Sequence, residues 1–228
     1  MKIGGFLKNS FVDYPGVIAS VVFVPGCNMD CWYCHNRHLW KEVNLIPQEQ
    51  VFEFLDKRRG FIDGVVISGG EPTLQKDLAE FIDVIKEKGY LIKLDTNGLR
   101  PDVIEKLTDK IDYIAMDLKA PPSGINRVVS FDVDEELIWR STQLIMNSGV
   151  DYEFRTTMMP QLSVSDIEKI AQRIEGAERY ALQQYRKMED THGLDNVPIE
   201  LEPLSPEEIK KTADAASKFV KSVVVRGV

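Results

Sequence analysis

The feature that most limits what this chain can become is a regular alternation along its length. Short apolar runs at Val17–Phe23, Val65–Ser68, Leu91–Asp95, Tyr113–Asp117, Tyr152–Met158 and Tyr180–Gln184 read as strands. Between them, Val51, Phe54 and Leu55, then Leu78, Phe81, Ile82 and Ile85, then Val103, Ile104 and Leu107 recur at helical spacing. Leu137, Ile138, Leu144 and Ile145, and later Ile167, Ile170 and Ile174, continue the pattern. Helix-sized crossovers between strands call for a parallel sheet, because antiparallel neighbours need only tight turns. About six β-α units are visible, fewer than the eight of a closed barrel. The expectation is a partial, open (βα)6-type barrel in one domain spanning residues 1–228, with a flat doubly wound sheet as the alternative.

Local punctuation agrees with this reading. Pro47, Pro101 and Pro206 are expected in first helical turns, and Ser205 with Glu208 forms a capping-box pattern. Gly60, Gly89 and Gly149 fall just past helix ends, where a left-handed residue is wanted. The repeats form a core of about 16–185. A last helix, Pro206–Phe219, and a short strand at Ser222–Arg226 make a tail over 205–226. Arg186–Pro198 is polar and aperiodic, which suggests a loop or lid.

In parallel β-α sheets, ligands gather at the carboxyl ends of the strands. Here those ends carry Cys27, then Ser68-Gly69-Gly70-Glu71, Asp95-Thr96-Asn97, Asp117 with Lys119, and Gln183-Gln184, while Arg155 lies within a strand. A purely structural sheet has no reason to end so many strands in polar groups. Singly, each has a plainer reading. Gly-Gly makes a tight turn, Asp95-Thr96 caps a helix, Asn97-Gly98 turns, and Asp117 with Lys119 pairs at the surface.

The three cysteines of the chain all fall in Cys27-Asn28-Met29-Asp30-Cys31-Trp32-Tyr33-Cys34. An odd, clustered set is a poor disulfide framework and suits a metal or cluster in a reducing compartment. Four-iron clusters in electron carriers take four thiolates, so three would leave one iron open to a substrate. A structural zinc completed by His35 or His38 is the alternative, although such sites usually pair two short knuckles. The net charge of −8 disfavours a nucleic-acid partner. No apolar stretch is long enough for a membrane span, and no signal segment opens the sequence, so a cytoplasmic location is expected.

The C-x3-C-x2-C run, with aromatic Tyr33 before its last cysteine, resembles the signature of the radical S-adenosylmethionine superfamily. That resemblance implies a four-iron, four-sulfur (4Fe–4S) cluster on Cys27, Cys31 and Cys34. Its open iron would chelate the methionine moiety of S-adenosylmethionine, and reductive cleavage would yield a 5′-deoxyadenosyl radical. It also gives Ser68-Gly69-Gly70-Glu71 the methionine ammonium. Asp95-Thr96-Asn97 and Asp117-x-Lys119 resemble motifs of glycyl-radical-enzyme activases that surround the cofactor's carboxylate and ribose. Tyr33, His35, Arg155 and Gln183 join the expected cofactor-binding set. A monovalent cation beside Asp95 and Asp117 would balance their charge.

The resemblance runs from Phe11-Val12-Asp13-Tyr14-Pro15-Gly16 to Gln184. Cys34-His35-Asn36, Asp95-Thr96-Asn97-Gly98, Met116-Asp117-Leu118-Lys119-Ala120-Pro121-Pro122, Glu153-Phe154-Arg155-Thr156-Thr157 and Leu182-Gln183-Gln184 are its most specific stretches. They look like the longer form of anaerobic ribonucleoside-triphosphate reductase activating proteins. The partners implied are a glycyl radical enzyme as protein substrate and a low-potential donor such as flavodoxin or ferredoxin. Pyruvate formate-lyase activase is the near alternative, but a His is common there at the place of Gln183. The segment 123–130 is also shorter than that family leads one to expect, and no second cysteine set exists for auxiliary clusters. A radical enzyme acting on a small molecule, and a non-enzymatic zinc or electron-transfer domain, are the remaining alternatives.

Overall fold

The computed structural model describes residues 1–40, 44–130, 132–187 and 202–228. Its frame is one sheet whose eight strands lie side by side in chain order. They are β1 (Gly5–Ser10), β2 (Ala19–Val24), β3 (Gly64–Gly69), β4 (Leu91–Thr96), β5 (Tyr113–Asp117), β6 (Asp151–Met158), β7 (Tyr180–Gln184) and β8 (Val223–Arg226). Only β1 runs antiparallel, against β2; every later neighbour is parallel. The helices are α1 (Gln48–Lys57), α2 (Leu78–Glu87), α3 (Pro101–Leu107), α4 (Glu135–Asn147), α5 (Val164–Arg173) and α6 (Pro206–Ala216).

A doubly wound sheet reverses its strand order at a switch point, and this one never does. Uniform crossovers of one hand put every helix on the same face, so the sheet curls away from them. Two apolar clusters record the two faces. The large one, around Val22, Ile67, Phe81, Ile92, Ile114, Phe154 and Ile170, lies between sheet and helices. The small one, Tyr14, Ala19, Val21, Val66, Tyr113 and Ala115, fills the concave side. β1 and β8 are the two edges of the sheet, so the barrel is open.

The six expected strands are all present, as is the short strand expected near the end, and the structure adds β1. β1 escaped the sequence reading because Gly-Phe-Leu-Lys-Asn-Ser carries little apolar alternation and pairs on one side only. The short run before the end is β8, in parallel register with β7. Pro47 stands at the N-cap of α1 rather than inside its first turn, whereas Pro101 and Pro206 do open their helices. The last helix stops at Ala216, not Phe219. Ser205 and Glu208 make the expected capping box, and Gly60, Gly89 and Gly149 have φ of 79°, 88° and 78°. The expected lid, beyond Arg186 and Lys187, lies outside the described residues.

Candidate active site

The strand-end loops enclose a cavity of about 300 Å³. Every residue singled out above as a site residue lines it, from Cys27 on the β2 loop to Gln183 at the end of β7. Asp13, Met29, Asn36 and Thr157 line it too, and the sequence reading passed them over. They are ordinary polar or apolar residues in loops and strands. Asp13, Asn36 and Thr157 all lie in stretches that carry the family resemblance, and Thr157 also lies two positions from Arg155 on the same strand face.

The cysteine loop is held from both sides. Asn36 donates its side-chain N–H to the carbonyl of Gly69 (3.0 Å), and the amide of Glu71 reaches the carbonyl of Gly26 (2.8 Å). Gly70 must lack a side chain, because a Cβ there would sit 1.9 Å from the Gly26 oxygen. Gly69, at φ 111°, would drive a Cβ to 2.5 Å from the Val24 nitrogen. On the far side, Cys31 bridges Val129, and Arg37 donates to the Cys31 carbonyl (3.0 Å) and pairs with Asp30. The Gly-Gly motif thus serves close packing of backbone on backbone.

The three thiols are free and face one cavity. Burial pushes the Cys27 thiol up to about 11 and the Cys31 thiol up to about 12. Thiolates there need a positive group to settle on, which bound iron supplies. The surroundings already lean that way. The Met29 amide points at the Cys27 sulfur (3.4 Å), and the Asn97 amide lies 3.9 Å from it. Lys119, 5.9 Å over the Tyr33 ring, adds a cation. Among the described residues, no three His, Cys, Asp or Glu side chains converge as a single ion requires. A cluster instead spreads its thiolates over separate irons, and three thiols on one loop fit it.

Glu71 behaves otherwise than its motif suggests. Its carboxylate accepts from the Thr73 amide (3.1 Å) and hydroxyl (2.6 Å), the Thr96 hydroxyl (2.8 Å) and the Asn97 amide (2.7 Å). Burial raises the carboxyl, while these four donors favour the charged form. Glu71 therefore clamps the β3 loop to the end of β4. Thr96 belongs to β4 and caps no helix.

The concave face of the sheet carries a row of alternating charge. Arg155 donates to Asp117 (2.8 Å) and Asp95 (3.3 Å), Lys93 pairs with Asp95, and Lys119 lies 3.5 Å from Asp117. Strand alternation puts these side chains on one face, with Asp117 opposite Arg155 in register. Burial alone would raise Asp95 and Asp117, but Arg155 holds both below the usual carboxylate range, helped by Lys93 and Lys119 respectively. Arg155 is in turn held well above the ordinary arginine value. Lys119 is only 13% exposed at its side chain, so its pair with Asp117 is no surface pair. Protein cations supply the counter-charge for the two carboxylates, which leaves no charge for the expected monovalent cation to balance. Lys93 is the residue missed here, legible as a lysine two positions before Asp95 in an apolar strand.

Deeper in the barrel, Glu153 is 1% exposed and takes two bonds from Arg226 (2.7 Å each) and one from Tyr113 (3.2 Å). A second cavity, about 720 Å³, opens outward from the first. It shares Asp13, His35, Arg155, Thr157 and Gln183 with the first and adds Val12, Arg186 and Arg226. A loop of three clustered thiols at the strand ends of an open parallel barrel, beside a row of paired charges, has the make-up of a cofactor-dependent α/β enzyme site.

Comparison with known proteins agrees. Residues 21–174 match the model of the Radical SAM superfamily, and the chain belongs to that superfamily, whose members use a 4Fe–4S cluster and S-adenosylmethionine. Within it the chain groups with activases of glycyl radical enzymes. It is 36% identical over 98% of its length to a Methanocaldococcus jannaschii protein provisionally named a glycyl-radical enzyme activating enzyme, covering 95% of that protein. It is 32% identical to the pyruvate formate-lyase 1-activating enzyme of Escherichia coli, over 72% of this chain and 70% of that one. Among solved structures, Streptococcus suis SuiB bound to S-adenosylmethionine superposes with a TM-score of 0.70 over 91% of the chain at 14% identity, a likeness of fold. The chain spans about half (52%) of the length of SuiB. No helix among the described residues is long and apolar enough to cross a membrane.

Proposed function

We propose that this chain activates a glycyl radical enzyme, with anaerobic ribonucleoside-triphosphate reductase as the partner. The observation that carries this is the single cavity in which three thiols of one loop meet the Gly-Gly backbone and the Asp95–Arg155–Asp117–Lys119 row. A 4Fe–4S cluster and S-adenosylmethionine, when bound, supply reductive cleavage of the sulfonium and the radical that takes hydrogen from a glycine Cα.

The chain's own residues hold, orient and shield. Cys27, Cys31 and Cys34 ligate the cluster. With the Glu71 carboxylate committed to Thr73, Thr96 and Asn97, the Ser68–Glu71 backbone rather than that carboxylate meets the methionine ammonium. Lys119 and Arg155, already charged, orient the cofactor's carboxylate, and Asp95 and Asp117 keep them in place. Asn97, Asp117 and Tyr33 face the nucleoside, and His35 and Gln183 line the passage to the outer cavity. Preorganised charge in a partly closed site needs little rearrangement during reaction. The open side admits the partner's glycine segment, and a flavodoxin or ferredoxin provides the electron.

The reductase reading rests on the motifs shared with its activases and on Gln183 standing where formate-lyase activases often have His. The similarity to the Escherichia coli formate-lyase activase favours the second reading, formate-lyase activation. Anaerobic reconstitution with iron and sulfide, then reduction with S-adenosylmethionine and each candidate partner, separates them. The expected result is 5′-deoxyadenosine together with a glycyl electron-spin signal on the reductase. A signal on formate-lyase alone favours the second reading. Deoxyadenosine still formed by Cys31→Ala would overturn the cluster assignment itself.

A further inference from the structure

The connection between β1 and β2 holds the two most exposed large apolar side chains among the described residues, Val12 at 83% and Phe11 at 75%. Single exposed apolar residues are commonplace and carry no message. These two are consecutive, and their loop is pinned at both flanks. The buried Ser10 hydroxyl accepts from the amides of Val12 (3.2 Å) and Asp13 (3.1 Å) and donates to the Asp13 carboxylate (2.5 Å). On the other flank, Tyr14 is 4% exposed, its ring 5.7 Å from that of Tyr113, and its carbonyl accepts from the Val17 amide (3.1 Å). The fold thus holds Phe11 and Val12 out in water on a braced tip.

The place of that tip is informative. Val12 lines the outer cavity, and Asp13 lines both cavities. A small substrate would sit inside the outer cavity, about 720 Å³, and leave Phe11 bare. A macromolecule that threads one segment into the cavity must lay neighbouring surface over the lip. A loop whose backbone is braced in advance loses little main-chain freedom when covered, so more of the burial of its side chains goes into affinity.

We propose that Phe11 and Val12 form a docking contact for the folded body of the glycyl-radical protein substrate, at the rim of the cavity that takes its glycine segment. This rests on the activase reading and deepens it. The surface expected on the partner is an apolar patch beside the base of its glycine loop. Recognition is thereby divided: the cavity reads the segment, and the tip reads the protein that carries it.

The test compares two probes on the cluster-loaded enzyme with S-adenosylmethionine: a purified glycyl radical enzyme from the same organism, and a synthetic peptide spanning its glycine. Phe11→Ser should raise the Kd for the whole protein about tenfold or more, as loss of a central apolar contact does. The same variant should leave the peptide Kd and the uncoupled formation of deoxyadenosine unchanged. Val12→Ser should move the whole-protein Kd in the same direction. An unchanged Kd for the whole protein, or equal weakening toward the peptide, overturns the inference. Self-association in sedimentation that Phe11→Ser abolishes assigns the tip to a second copy and also overturns it. A wild-type enzyme that cleaves S-adenosylmethionine yet binds neither probe counts against the activase reading instead.

Discussion

At the scale of single residues, Arg155 is the side chain on which the charged row depends. It joins Asp95 to Asp117; the Asp95 side chain is 16% exposed, whereas water reaches Asp117, at 36%, and lowers the cost of losing that half of the link. Replacing it by Met leaves two carboxylates facing each other with less compensation, and breaking a buried pair costs about 3–5 kcal/mol. Urea unfolding of Arg155→Met should show a loss of that order; a loss below about 1 kcal/mol would mean that water screens the pair. The glycines make a second contrast. In Gly98→Ala the new Cβ would meet the Met116 Cε at 2.0 Å, and that methyl can swing aside. What remains is the strain of φ 80°, about 1–2 kcal/mol. In Gly70→Ala the obstacle is the Gly26 carbonyl, which cannot move without the cysteine loop. Gly70→Ala should therefore lose iron uptake on reconstitution, and Gly98→Ala should retain it while melting lower.

At the scale of elements, α5 shows how a helix start is built and titrated. Ser163 and Asp166 form a reciprocal capping box, and Arg127 adds a two-pronged pair to Asp166 (2.9 and 3.1 Å). The Arg127 hydrogen bonds are the main reason the Asp166 carboxyl falls to about 2 from its ordinary 3.8. A depressed acid stabilises the fold fully above its unfolded value and stops doing so as pH falls through the folded one. Stability tied to Asp166 should thus fade between pH 3.8 and about 2. Asp166→Asn should flatten that stretch of a stability-against-pH curve and cost about 1 kcal/mol at neutral pH, as loss of a cap does. An equally steep acid limb in the variant would place the titration elsewhere. The capping box was present in the sequence as Ser-x-x-Asp and went unread, because Asp is less familiar there than Glu or Gln. The strands buried on both faces were legible for the opposite reason, since Val65–Ile67 and Ile114–Met116 are unbroken apolar runs. β1 was not, because an edge strand needs only half a partner's worth of apolar pattern, whereas β8, the other edge, was legible as the apolar run Val223–Val225. Most of the residues that line the cavity were legible, since strand ends are where polar residues stand out. The pairing of Lys93 with Asp95 and the inward turn of Glu71 required coordinates, because both depend on which neighbour a side chain meets.

At the scale of the whole molecule, β8 is held by its ladder with β7 and by a side-chain link that reaches past β7, the two-pronged Arg226–Glu153 pair. Arg226→Met would strand Glu153 at 1% exposure without its cation. The expected result is a loss of about 3–5 kcal/mol, with hydrogen exchange rising first in Val223–Arg226 and then in Tyr180–Gln184. Exchange that rises evenly over all strands would mean that β8 unfolds with the rest rather than as a separate lip.

The sequential strand order has a further consequence, for how the protein is made. Each strand from β2 onward finds its first partner in the strand translated just before it, so no pairing waits for the far end of the chain. Short closures of this kind favour folding that advances with synthesis. The thiol loop and its Gly-Gly brace are complete once β3 has emerged, whereas Arg155, Gln183 and Arg226 arrive last. On the ribosome, the floor of the pocket is therefore laid before its outer wall.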